Sequence, residues 1–380
     1  MDRISPYQGL APRAFWRTGL AEAPYPPPDL YRPRWLLAPS DRIVTAGSCF
    51  AQHVGRALRR NGFNVLDAEP APPGLDPDEA AARGYGLYSA RYGNIYTTRQ
   101  LRQLLDEAWE GAPAFDSVWE RDGRFYDALR PNIAPGGMAS AAEVAAARAA
   151  HLARVREVFA QADVFIFTLG LTEAWMHRPT GRVYATAPGT IAGRFDPAIH
   201  AFVNFRLAEV RDDLLAALAR LRALNPALRV LLTVSPVPLT ATASEAHVLP
   251  ATVYSKSVLR ACAGEICADH PWADYFPSYE IVTSARGGAA FFEPNLRSVT
   301  EAGVARVMRV FVGAHLGAGA EDAGADGAGT GGPGSEGSGA ALAAGRDGGD
   351  RHDERQARRA ARQERKAARA ERRQAREGGR

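Results

Sequence analysis

The stretch Ile43-Val44-Thr45-Ala46-Gly47-Ser48-Cys49-Phe50-Ala51 decides how this chain is read. An apolar run leads into a glycine and a serine, and Phe50, Val54, Ala57 and Leu58 then recur at helical spacing. That pattern predicts a strand, a tight turn and a helix, with a small nucleophilic residue at the turn. Amides at a helix start have no helical acceptor and point at whatever sits there. A serine so placed is suited to attack a carbonyl while the amides hold the resulting oxyanion. Gly47 supplies the backbone freedom that such a turn needs. A purely structural role is equally open to Ser48: its hydroxyl can cap the helix by accepting from the same amides.

The flanking chain repeats the alternation. Residues 62–66 read as a second strand, 67–84 as a Pro- and Asp-rich loop, and 98–109 as an amphipathic helix. A long Ala-rich helix over 140–161 precedes an apolar strand, Asp163 to Leu169, which ends at Gly170. A helix over 204–224 precedes the strand Arg229 to Val234, which ends at Ser235-Pro236. Residues 240–251 read as a loop, 255–269 as a helix, Tyr275-Phe276 as a short strand and 300–313 as a last helix. Continuous apolar strands alternating with helices indicate an α/β fold with a parallel sheet covered on both faces. Ligands bind at the carboxyl ends of such strands. Gly47-Ser48-Cys49, Gly170-Leu171-Thr172-Glu173 and Ser235-Pro236 are therefore expected on one rim.

Residues 1–40, rich in Pro, Arg and aromatics, read as an extended arm, and 41–317 as the domain. Residues 318–350 are dominated by Gly, Ala, Asp and Ser, a composition that reads as a flexible linker. Residues 351–380 form a basic, potentially helical tail that suits weak contact with RNA or anionic lipid. The whole chain carries +4; with −5 over 321–350 and +7 in the tail, residues 1–320 carry +2. The high pI thus belongs to the tail, which argues against a nucleic-acid-binding catalytic domain. No apolar stretch is long enough to span a membrane, and residues 1–20 lack a secretory core, so a cytoplasmic protein is expected. Cys49, Cys262 and Cys267 form neither a disulfide framework nor a metal-spaced set, and no metal or cofactor is expected.

Several motifs together resemble the GSCFA family: Gly47-Ser48-Cys49-Phe50-Ala51, Arg91-Tyr92-Gly93-Asn94-Ile95-Tyr96-Thr97, Thr168-Leu169-Gly170-Leu171-Thr172-Glu173-Ala174-Trp175, Thr233-Val234-Ser235-Pro236-Val237-Pro238-Leu239 and Tyr254-Ser255-Lys256-Ser257. The resemblance covers roughly residues 40–312. That family is similar to SGNH hydrolases, the fold of GDSL-type esterases, lipases and carbohydrate acetyl-esterases. The resemblance implies a flavodoxin-like three-layer sandwich with Ser48 as nucleophile and Gly170 as an oxyanion donor. It points to an esterase or acyltransferase acting on O-acyl groups of a glycan or polysaccharide.

The chain also departs from the SGNH pattern. No Asp precedes Ser48, the Asn of the third block is Thr172, and Arg297 stands near the place of the catalytic His. An arginine cannot accept a proton at neutral pH. His247, in the loop after the strand that ends at Ser235, is the preferred base. A thiol enzyme is the alternative, since Cys49 and His53 lie four apart on one helical face. A catalytically silent glycan-binding module is another. Asn94 and Thr172 are candidate oxyanion donors, and Glu173, Arg91, Lys256 and Arg297 candidate substrate ligands. Asp127 and Arg130 are expected to join Arg91 in a sugar-binding floor, with Trp175 and Tyr279 as stacking platforms.

Overall fold

The computed structural model describes residues 5–111 and 117–316. The expected linker and basic tail lie outside the described residues. Residues 5–42 run over the domain surface, interrupted by short helical turns at Pro12–Ala14 and Arg17–Ala21. The Tyr31 hydroxyl donates to Asp274 Oδ2 (3.1 Å), the Arg34 amide donates to the same oxygen (2.9 Å), and the Tyr25 hydroxyl meets Ser284 Oγ (2.6 Å).

In chain order the domain comprises β1 (Ile43–Gly47), α1 (Ala51–Arg60), α2 (Pro77–Ala82), α3 (Thr98–Glu110), β2 (Val118–Arg121), β3 (Arg124–Asp127) and α4 (Ala141–Ala160). There follow β4 (Val164–Leu169), β5 (Glu173–His177), β6 (Val183–Tyr184), β7 (His200–Asn204), α5 (Leu207–Leu224) and β8 (Arg229–Val234). The last elements are α6 (Val248–Asp269), β9 (Ala273–Phe276), α7 (Ser278–Thr283) and α8 (Glu301–Leu316). Local chemistry fixes several ends. Thr97 and Gln100 form a reciprocal capping box at α3, and Ser140 Oγ accepts from the Glu143 amide at α4.

Strands β1, β4, β8 and β9 form a parallel sheet in that order. Alternate side chains point to opposite faces. Val44, Ala46, Phe165, Phe167, Val230 and Leu232 pack against α3, α4, α5 and α6. Ile43, Val164, Ile166 and Leu231 pack against α1, α7, α8 and the N-terminal segment. Both faces are thus covered, and both sets are fully buried because each strand face meets a helical layer.

The strand expected at 62–66 shrinks to one parallel bridge between Val65 and Ile43. Ile43 N–H donates to Asn64 O and Leu66 N–H to Ile43 O (both 2.9 Å), after which Ala68 turns away to pair with Ser89 O. Three features depart from the expected layout. A short helix, α2, sits in the loop expected over 67–84, capped by Asp76. Strands β2 and β3 make a hairpin. Strands β6, β5 and β7 make a small antiparallel sheet between β4 and α5.

At the end of β1, Gly47 has φ +138°, and a Cβ there would stand 2.4 Å from Thr168 O and 2.8 Å from Thr168 N. Gly47→Ala is expected to destabilise the fold by at least about 2 kcal/mol, from backbone strain and overpacking together. Urea unfolding checks this; a change within about 0.5 kcal/mol, the range of neutral surface substitutions, would show that the approach can relax.

Candidate functional site

The parallel register brings the strand ends to one level. Gly47 pairs with Thr168, and Thr168 with Thr233. The ladder continues one step past the strands: Ser48 N–H donates to Thr168 O (3.1 Å) and Ser235 N–H to Leu169 O (2.9 Å). Ser48, Gly170 and Ser235 therefore leave neighbouring strands side by side. Gly170 lies against Ser48 so closely that a Cβ on it would come within 3.0 Å of Ser48 Cβ and 2.9 Å of Tyr96 O.

The Ser48 hydroxyl is buried, at 2% residue exposure, and Oγ has no hydrogen-bond partner among the described residues. It does not cap α1, whose N-cap position is taken by Phe50 with no side-chain cap. The structural role open to Ser48 in the sequence is thus not taken up. Leaving such a group unsatisfied costs about 1–3 kcal/mol and calls for an explanation. Thr45 and Thr168 hydroxyls share that condition inside the strands, but Ser48 has left the sheet for the rim.

The expected oxyanion donors are mostly engaged. Gly170 and Leu171 amides both donate to Tyr96 O (3.1 and 2.9 Å), and the Ser48 amide holds Thr168 O. Thr172 donates its hydroxyl to Asn204 Oδ1 (2.6 Å), which ties β5 to the end of β7. Asn94 is brought to Ser48 but through an intermediary. The Tyr88 hydroxyl lies between Asn94 Oδ1 and Ser48 O, and Asn94 Nδ2 donates to Tyr96 Oη (2.8 Å). The amides opening the first turn of α1 are engaged as well: Ala51, Gln52 and His53 N–H donate to the carbonyls of Ser48, Cys49 and Phe50 (2.9, 3.2 and 3.1 Å).

Lys256 is the main departure from the expected placement. It lies in the third turn of α6, at 1% exposure, and donates from Nζ to Gly170 O (2.8 Å). Its neighbour Ser255 accepts from the Thr172 amide (3.0 Å), so α6 grips the loop after β4 twice. Burial pulls the Lys256 pKa down to about 7; the nearby Cys49 opposes this and the Arg297 charge adds to it. Arg297 is therefore within electrostatic reach of Lys256.

The other candidates separate. His247 is exposed and serves as N-cap of α6, Nδ1 accepting from the Leu249 amide (3.1 Å). The expected loop 240–251 is thus shorter, because Pro250 sits within the first turn of α6, where its missing N–H costs nothing. Nine residues, about 13 Å of helical rise, separate His247 from Lys256. His53 Nδ1 faces the Arg56 guanidinium (3.1 Å), which can only donate, so that nitrogen accepts. Glu173 is buried and accepts from the Thr242 hydroxyl (2.8 Å); burial holds its carboxyl above the ordinary carboxylate range. Arg91 donates to Arg83 O and Ile133 O, backbone contacts that brace the loop. Asp127 and Arg130 pair with each other at 2.7 Å and are 2% exposed, so they form part of the interior rather than a sugar-binding floor.

The GSCFA family matches residues 42–311 of this chain. The chain belongs to the GSCFA family. No curated protein and no solved structure matched it. The match spans every element from β1 almost to the end of α8, so the rim around Ser48 is built wholly within the GSCFA region. Among the described residues no group of His, Cys, Asp or Glu is placed to hold a metal ion, and no helix is long and apolar enough to cross a membrane.

Sequence reasoning offered Lys256 as a substrate ligand and missed its burial. One signal for it lies in the composition: of 46 lysines and arginines in the chain, only Lys256 and Lys366 are lysines. The buried amine also sets a stability slope. Between about pH 7 and the ordinary lysine value of 10.5, the unfolded chain holds a proton that the folded chain does not. Stability from this group therefore falls as pH drops through that window and levels off below it. Wild type is expected to gain more stability than Lys256→Met between about pH 7 and about pH 9, measured by urea unfolding at both. Equal gains would contradict the placement of Lys256.

Proposed function

We propose that this protein is an SGNH-like acyl-transfer enzyme in which Ser48 attacks the carbonyl of an O-acyl ester. The observation that carries the reading is the buried, unpartnered Ser48 hydroxyl at the carboxyl rim of a parallel sheet and the head of a helix. Catalytic groups are where unsatisfied or strained arrangements are tolerated. Counting the Val65 bridge as a second strand gives the order 2-1-3-4-5, the flavodoxin-like doubly wound order, whose sites lie at such rims. O-acyl groups of a glycan or polysaccharide are the proposed substrate class, on the resemblance to carbohydrate esterases, with hydrolysis or transfer to a second hydroxyl as the outcome.

A thiol reading also has an observation in its favour. Cys49 follows Ser48 and sits within electrostatic reach of Lys256. Its partner would then be that lysine, since His53 Nδ1 is turned to Arg56.

A fluorophosphonate probe separates these readings. Labelling of wild type that disappears in Ser48→Ala is the expected result. Alkylation of Cys49 by iodoacetamide, with Ser48 unlabelled, would favour the thiol enzyme. A folded protein labelled at neither residue would favour a silent binding module.

A further inference from the structure

We propose that Lys256 is the general base for Ser48: its buried amine accepts the Oγ proton as Ser48 attacks the ester. The inference rests on the reading of Ser48 as nucleophile and adds the group that activates it.

Three independent observations converge on this residue. The first is position. Gly170 meets both groups: a Cβ on it would stand 3.0 Å from Ser48 Cβ, and its carbonyl accepts from Lys256 Nζ at 2.8 Å. Ser48, whose hydroxyl is unpartnered, and the Lys256 amine thus lie against the same glycine. The second is charge balance. Arg130, Arg148 and Arg182 are also buried, and each meets a carboxylate: Asp127 for the first and Glu107 for the other two. Lys256 has no carboxylate partner among the described residues. An ammonium buried without a counter-ion is costly, and the neutral amine is the form that burial favours. The third is composition. A chain that uses arginine for nearly all of its cations places lysine here. Arginine stays protonated in proteins, whereas a buried lysine deprotonates readily and serves as a base.

The charged and titratable neighbours act in opposite directions. Cys49, at the turn into α1, favours the ammonium, and Arg297, on the segment before α8, favours the amine. Burial outweighs both and brings the group to about 7.

The reaction balances with this one base. As the Ser48 Oγ–carbon bond forms, the Oγ proton passes to Lys256 Nζ and the carbonyl electron pair moves onto oxygen. Collapse of that oxyanion breaks the carbon–oxygen bond to the alcohol, which takes the proton from the ammonium. Water or an acceptor hydroxyl then gives its proton to the amine while attacking the acyl group. When the acyl–Oγ bond breaks, the proton returns to Ser48. No further reactant is required.

The test combines labelling and titration on the full chain. Lys366→Arg leaves Lys256 as the one lysine, so 13C-lysine NMR reads its protonation directly. Its midpoint is expected near 7, and the rate of fluorophosphonate labelling at Ser48 should rise through the same midpoint. Lys256→Arg, checked by thermal melt, is expected to slow labelling at least about 100-fold. Ser48 labelled at the wild-type rate in a folded Lys256→Arg protein would overturn the proposal and leave the nucleophile reading standing. An amine that titrates only near the ordinary 10.4, or a labelling rate with no limb near 7, would overturn it even if Lys256→Arg does not fold. Wild type that never labels at Ser48 would instead remove the nucleophile reading itself.

Discussion

The rim depends on how closely two backbones meet where β1 ends. Gly47 lies so near Thr168 that no side chain fits between them, and its φ of +138° is one that L side chains avoid. That approach lets the Ser48 amide continue the ladder to Thr168 O while the chain turns sharply into α1. Gly170 repeats the device one strand over, since a side chain there would strike both Ser48 and Tyr96. Two glycines on adjacent strands thus make a narrow seat in which the Ser48 hydroxyl is enclosed but not bonded. Neither glycine is explained by the core, which is formed by Phe165, Phe167, Leu232 and their neighbours below the rim.

Electrostatics follow from the same packing. Helix α6 reaches under the loop after β4 and delivers Ser255 and Lys256 to Thr172 and Gly170. A lysine can do this with one nitrogen on one carbonyl. A guanidinium would bring five N–H donors into a place that offers one acceptor. Elsewhere in the interior this chain resolves buried charge by pairing, as in the cluster of Glu107 with Arg148 and Arg182. At the rim it leaves the cation without an acid, so the site is poised by desolvation rather than by a salt bridge.

The sheet was legible in the sequence because β1, β4 and β8 are buried on both faces and read as unbroken apolar runs. Their polar ends marked the rim. The small sheet of β5, β6 and β7 was not legible: Glu173-Ala174-Trp175-Met176-His177 shows no clean alternation, and β6 is two residues long. The first turn of α6 was read as loop because Pro250 suggests a break, although proline fits the first turn of a helix. That misreading made His247 look like a free loop residue when it is a cap. Lys256 was missed for a different reason. Nothing local predicts that a lysine between two serines will be buried, since its environment is assembled from β4, α1 and the segment before α8. Arg91, Asp127 and Arg130 looked like ligands because polar residues grouped in sequence suggest a surface, whereas here they brace loops and interior.

The proposed chemistry stands or falls with the hydroxyl in this glycine seat acting as a nucleophile. The most direct measurement is the mass of the protein after brief exposure to an activated acetyl ester, followed by acid quench and peptide mapping. That chemistry predicts one added acetyl group, on the peptide that holds Ser48, absent in Ser48→Ala. Acetylation confined to Cys49, or the same modification in Ser48→Ala, would contradict it.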